Sequence, residues 1–269
     1  MCMQVSKSGF YYWKNKPISQ RSKRNNQLLY HVIQAYKASR GTYGSPRIYY
    51  ELNANGIKVS LNKIAMMMKQ HGLAARASAK HKKTKIARNT TGFAKNVLAR
   101  TFSSDKPNEK WVSDTTFIET RQGWLYLATI IDLYSRKVVG WSMSKSNNTA
   151  LVTQALLMAV KQKPRQQPVI LHSDQGSTYR ADSYLALFKA HRIKQSMSGK
   201  GDCYDNAVAE SFFGTLKTEL IAGFNYPSRE EARRHIFEYI EVFYNRVRRH
   251  SSLNYQSPVN FEKAFYTRN

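Results

Sequence analysis

The chain has 269 residues, 42% hydrophobic and 22% charged, which is enough apolar material for one large or two small packed domains and excludes general disorder. Lys and Arg number 43 against 17 acids, a formal net charge of +26; an excess of this size points to a polyanion, nucleic acid first, with a generally basic ribosomal-type surface as the alternative. The longest apolar run, around residues 125–131, falls far short of the roughly 20 residues a membrane helix needs, the N-terminus lacks a secretory pattern, and Cys2 and Cys203 make neither a disulfide framework nor a zinc site, so a soluble intracellular protein is expected.

The charge is uneven. Residues 1–100 hold 20 Lys/Arg and one acid, Glu51, for a net of +19, whereas residues 101–269 carry +7. Residues 1–75 read as helical. Apolar positions 28, 29, 32, 33 and 36 mark one face of a helix over 28–39. In RGTYGSPRIYYELNANG (40–56), Ser45 is placed as N-cap, Pro46 as the first helical residue and Gly56 as the stop. Ser60 then caps a second short helix over 61–71, ending at Gly72. Two short capped helices with a tight connection predict a helix-turn-helix whose second helix enters a major groove, with Arg47 and Lys63 as candidate DNA contacts. A plain helical bundle with Ile64 and Met66–Met68 in its core is the alternative. The basic stretch that follows, 76–104, reads as a linker tracking phosphates and as the domain boundary.

From residue 110 the pattern changes. Segments 110–120, 123–134 and 137–144 are rich in β-branched and aromatic residues and read as strands. A helix over 149–163, a short buried strand over 168–174, a helix over 183–191, a strand at 193–197 and a helix over 205–221 complete the series. This order predicts an α/β fold: a ribonuclease-H-like core over 105–222, with a mixed five-stranded sheet and flanking helices. A C-terminal helical extension over 223–269 follows, its helix spanning 229–247.

Three acids stand out by context. Asp114 lies in mid-strand, where aspartate is disfavoured and burial of its charge is costly. Asp174 ends an apolar strand just before Gln175-Gly176, and Glu210 sits in a helix among Ala207, Phe212 and Phe213. Thirty-five residues separate Asp174 from Glu210, room for the elements that return the glutamate to the same sheet edge. Three converging carboxylates repel unless cations sit between them. Two Mg²⁺ or Mn²⁺ ions, about 3.5–4 Å apart, would meet that need and support in-line phosphoryl transfer. Ordinary surface or capping acids are the alternative for each residue taken singly.

WVSDTTFIET, LHSDQGSTY and SGKGDCYDNAVAESFFGTLKTEL, in that order, resemble the three blocks of DDE transposases, specifically the OrfB product of the insertion-sequence-three family. RGTYGSPRI (40–48) and YNRVRRHSSLNYQSPVNF (244–261) resemble that family too, so the likeness spans roughly residues 5 to 265. It implies a retroviral-integrase-like polynucleotidyl transferase in which Asp114, Asp174 and Glu210 are the catalytic, metal-binding triad. A hydroxyl, from water or a DNA 3′ end, attacks a phosphodiester without a covalent enzyme intermediate. The element is then joined into a circular or figure-of-eight form and inserted into target DNA. The implied partners are double-stranded DNA, both element ends and target, a second copy of the chain to pair two ends, and an upstream-frame OrfA product; the implied location is the bacterial cytoplasm, on the nucleoid.

Other residues follow from the same blocks. Lys217 lies seven residues after Glu210, on the same helix face, and is the candidate for a phosphate of the element end. His172 and Asp132 are candidate supports beside the carboxylates, each with a structural alternative. Asp205 and Asn206 are expected to cap the Glu210 helix. Arg248 and Arg249, in the basic run before His250, are candidate DNA contacts, with a plain surface cluster as the alternative. VSKSGFYYW (5–13) resembles the end of a longer helix-turn-helix, and the His/Cys zinc domain of retroviral integrases is absent. A non-catalytic DNA-binding regulator and a nuclease without strand joining are the rival functions.

Overall fold

The computed structural model describes residues 6–76, 96–98, 101–198 and 206–268. The chain forms two compact units, residues 1–76 and 77–269. Most of the basic segment 76–104, together with Asp205 and Cys203, lies outside the described residues.

The first unit is all-helical: α1 (Lys7–Lys14), α2 (Gln20–Ala38), α3 (Ser45–Ala54) and α4 (Leu61–Gln70). Val32 and Ala35 of α2, Ile48 and Leu52 of α3, and Ile64, Met67 and Met68 of α4 are buried and make its core, while Met66 points outward. α2 starts eight residues before its apolar face does. Its first two turns, QRSKRNN, are polar and basic, so periodicity is blind to them; the Ser19 hydroxyl, accepting from the Ser22 N–H at 3.1 Å, sets the start. At α3 the cap is Gly44, with Ser45 already helical and no side-chain cap bond. Ser60 does cap α4, its Oγ accepting from the Lys63 N–H. Between these helices Gly56 takes φ +78°, a conformation an L side chain resists, which makes the tight connection possible.

The second unit is built on one sheet of β1 (Lys110–Ile118), β2 (Leu125–Asp132), β3 (Val138–Ser144), β4 (Val169–Ser173) and β5 (Ile193–Met197), in the order β3-β2-β1-β4-β5. β1, β2 and β3 run antiparallel, whereas β4 and β5 run parallel to β1. β1 is therefore central and mostly buried. One face of the sheet packs Trp111, Ala128 and Ile130 against α5 (Thr149–Gln162) and α6 (Asp182–Ala190), through residues such as Leu156, Tyr184 and Phe188. α7 (Ala207–Leu216) lies against β1 and continues as a wider, π-helical turn, Lys217–Ile221. α8 (Arg229–Phe237) likewise continues as Glu238–Tyr244, and α9 (Pro258–Arg268) closes the described chain.

The open edge of the sheet is covered at one point by a side chain. Asn245 accepts from the Val138 N–H at 2.9 Å and donates to its carbonyl at 3.0 Å, mimicking a neighbouring strand. No helix among the described residues is long and apolar enough to cross a membrane.

β3 approaches α5 closely because it carries glycine at 140. A Cβ there would strike the Ala155 carbonyl oxygen and lie 2.8 Å from Ala159 Cβ and 2.9 Å from Ala159 N. These are backbone atoms and a methyl, which cannot rotate away. Gly140→Ala is expected to cost about 1–3 kcal/mol; urea denaturation reads this as a lower midpoint, and an unchanged midpoint would show that β3 and α5 have room to separate.

Candidate active site

The parallel pairing of β1 with β4 sets the geometry. Lys110, Trp111 and Val112 pair with Ile170, Leu171 and His172. Two residues beyond the last pair, Asp114 is level with Asp174, on neighbouring strands that run about 4.8 Å apart where they pair. Side chains alternate along a strand, so Asp114 shares a face with Val112 and Thr116, and α7 packs against this strand. Asp114, Thr115 and Thr116 of β1 and Glu210, Ser211 and Lys217 of the α7 rod line one open cleft of about 560 Å³, with Ala207, Phe213 and Gly214 supplying its apolar part. Asp174 is exposed at the end of β4 and is not among the lining residues.

The electrostatics join all three acids. Burial pushes the Asp114 carboxyl up to about 7; the Asp174 and Glu210 charges add to the rise, against the Thr115 N–H bond (2.7 Å) and the Lys217 cation. Asp174 Oδ1 accepts from the Gly176 N–H at 2.9 Å, fixing the turn that follows β4. Among the described residues no three acidic, histidine or cysteine side chains already close on one point as a metal cage. The donor set still fits hard divalent cations: it offers carboxylate and hydroxyl oxygens and no thiolate or imidazole, and a cation would relieve the buried charge that raises Asp114.

Several positioning groups escape a reading of the sequence. Tyr179, 2% exposed in the 3₁₀ turn after Asp174, pairs its hydroxyl with Ser113 Oγ at 3.1 Å, tying the Asp174 loop to β1. Gln175 Nε2 donates to the Ser198 carbonyl. Tyr179 stands inside LHSDQGSTY, so the signal was present, but only the fold shows what its hydroxyl meets. Asn206 sits at the N-cap of α7 yet makes no capping bond; its Nδ2 donates instead to the Ser113 carbonyl at 3.2 Å, so it bridges α7 to β1.

Asp132 is not among the residues that line the cleft. Its oxygens accept from the Asn108, Tyr134 and Ser135 N–H groups at 2.7–2.9 Å, which locks the loop after β2; burial nevertheless pushes its carboxyl above the ordinary range. His172 is fully buried and pairs through Nδ1 with Ser196 Oγ at 2.9 Å. That hydroxyl oxygen also accepts from the Val97 and Leu98 N–H groups, so one serine joins His172 of β4 to the 97–98 segment.

Arg248 requires a correction. It is 4% exposed and forks onto Glu219, with Nε to Oε2 and Nη2 to Oε1 both at 2.7 Å; Tyr239 donates to the same carboxylate at 2.8 Å. A buried guanidinium engaged in this way is a structural cross-link and not a phosphate contact. Arg249 is half-buried and donates to the Tyr255 carbonyl, and Arg47 lies over the Tyr43 ring at 5.6 Å; Lys63 is half-buried on α4.

Known families agree with this architecture. Integrase core domain models match residues 104–203 and 191–258, and an HTH-like domain model matches residues 23–82. Transposase InsF of insertion sequence IS3A from Escherichia coli K12 is 41% identical over 97% of this chain and 92% of its own length. The 31 kDa protein of insertion element IS600 from Shigella sonnei is 39% identical over 97% of the chain and 96% of its own. The HTLV-2 integrase catalytic core domain, solved with magnesium, is 17% identical over 59% of the chain and 98% of its own, at TM-score 0.45, a likeness too loose to bear weight. The chain belongs to the insertion-sequence-three family of transposases, with an integrase-type core behind an HTH-like helical region.

Two outcomes follow from the site. Asp114→Asn is expected to raise the melting temperature in the absence of divalent ions, because a neutral amide removes a buried charge; adding Mg²⁺ is expected to raise the wild-type value and leave the variant unmoved. Equal responses to Mg²⁺ would remove Asp114 from the ion site. Arg248→Ala strands the Glu219 charge and is expected to lower stability by about 3–5 kcal/mol, while the salt dependence of DNA affinity in the folded variant stays that of the wild type. Unchanged stability with a shallower salt slope would return Arg248 to the DNA surface.

Proposed function

We propose that the chain is the catalytic transposase of an insertion sequence, cleaving DNA at the element ends and joining those ends to a new strand. The observation that carries the reading is the cleft that the half-buried Asp114 lines together with Glu210 and Lys217, with the Asp174 charge also acting on Asp114. Asp114, Asp174 and Glu210 would hold one or two Mg²⁺ or Mn²⁺ ions. Bound there, the ions supply activation of the attacking oxygen and stabilisation of the leaving oxygen.

The chain's own groups do the rest. β1 carries Asp114, Asp174 follows the end of the adjacent β4, and α7 presents the third carboxylate, so their spacing is set by sheet and helix packing. Lys217 places a cation in the same cleft, where it attracts a phosphate of the DNA backbone and offsets the acids that would repel it. The attacking hydroxyl, from water or a DNA 3′ end, forms a new P–O bond as the bond to the departing 3′ oxygen breaks, leaving a 3′-OH strand end. The helical unit, within the first 100 residues that are strongly basic and carry a single acid, grips the duplex through phosphates, with Arg47, Lys63 and Arg249 as proposed contacts. Joining two element ends requires at least a dimer in the active assembly, with an upstream-frame partner as a further component, acting on the nucleoid in the cytoplasm.

The test uses labelled element ends and target DNA with Mg²⁺. Nicked and joined products support the proposal; nicking alone favours a nuclease, and retardation without cleavage favours a regulator. Asp174→Asn is expected to reduce joining by at least about 10²-fold, the range seen when one group that stabilises transition-state charge is lost, with retardation retained because the phosphate contacts are intact. Normal joining by this variant would overturn the assignment of Asp174.

A further inference from the structure

Beside the cleft lies a feature that neither the carboxylates nor the core explains. Phe117 on β1 and Trp124 just before β2 are 53% and 45% exposed, and their rings meet edge to face with centroids 4.8 Å apart. Lys217 Nζ stands 5.5 Å over the Phe117 ring, and the same lysine lines the cleft with Asp114 and Glu210. Single exposed aromatics are ordinary, but two in contact, next to a cation in a cleft that handles phosphates, are not.

The hairpin that carries the rings is braced from behind. Arg229 donates from Nε to the Trp124 carbonyl at 3.0 Å and from its backbone N–H to Gln122 Oε1 at 3.1 Å. Thr120 Oγ1 donates to the Gly123 carbonyl at 2.6 Å, and the Arg121 N–H donates to the Tyr226 carbonyl at 2.9 Å. None of these bonds uses the two rings, which stay exposed although Lys217 lies over one face of Phe117. A rigid π surface joined to a cation fits a partner with flat π faces on an anionic backbone.

We propose that Phe117 and Trp124 form a stacking platform for an unpaired base of the DNA strand whose phosphate lies at Lys217. The platform rests on the transposase reading and extends it: the reacting strand is held by a base out of the duplex as well as by its phosphates. A second copy of this chain is the other possible occupant, but two rings beside a lysine, in a protein of net charge +26, favour the polyanion.

The test is made on the full chain without divalent ions, so that binding is read apart from catalysis. Two duplexes are compared, one blunt and one with a short single-stranded 3′ overhang carrying 2-aminopurine. The wild type is expected to prefer the overhang and to quench the probe. Trp124→Ala is expected to lose about tenfold in overhang affinity, within the range for one base–aromatic stack, and most of the quenching, with blunt-duplex affinity unchanged. Trp124→Phe, which keeps a ring, is expected to retain most of both, and guards against misfolding of the alanine variant. No overhang preference in the wild type, or equal losses on both duplexes by Trp124→Ala, would overturn the platform, as would a dimer that dissociates in Trp124→Ala with DNA binding intact. Trp124-dependent overhang binding in a protein that never joins DNA would leave the platform standing and bring down the transposase reading alone.

Discussion

Asp114 occupies a place where a charge is expensive: the central strand of the sheet, bonded on one side to β2 and on the other to β4. Burial alone pushes its carboxyl upward, and two further acids push it the same way. A purely structural design would put an apolar residue or threonine at that point. Much of the surrounding architecture serves to hold this unfavourable group in position. The β1–β4 register brings Asp174 level with it, the Ser113–Tyr179 bond keeps the following loop against β1, and Asn206 ties the start of α7 to the same strand. Local cost concentrated at one point in an otherwise well-packed unit is the physical mark of a functional site.

The far end of the α7 rod is secured by a different device. Past Leu216 the helix widens into a π turn, a feature that recurs at functional sites. Within that turn Glu219 is clamped by Arg248 and Tyr239, from the chain that follows α8 and from the α8 rod itself. Two residues before Glu219, Lys217 faces the cleft. The buried fork therefore fixes the register of the segment that carries the lysine.

The sheet was legible in the sequence because its strands have strong signatures. β-Branched and aromatic runs bounded by turn residues located all five strands to within two residues at each end, and β5 was read to the residue. Asp114 and Asp174 stand out in the sequence for a related reason, since an acid in mid-strand or at a strand end contradicts local propensity, whereas Glu210, in a helix, stands out only by its apolar neighbours. What stayed hidden depends on partners distant in sequence. Arg248 looks like part of a basic cluster, and nothing near it reveals that Glu219, 29 residues earlier, claims its guanidinium. The first turns of α2 carry no apolar face, α1 buries no residue at all, and α9 buries only Pro258, so hydrophobic periodicity had little to report there.

Asp114, Asp174 and Glu210 are proposed to act together on hard cations, and diffraction at a manganese-sensitive wavelength tests this directly. Crystals of the full chain grown with Mn²⁺ and an element-end duplex are expected to show anomalous density coordinated by Asp114 together with Asp174, Glu210 or both. Manganese found only elsewhere, or none at Asp114 with the duplex seated in the cleft, would contradict it.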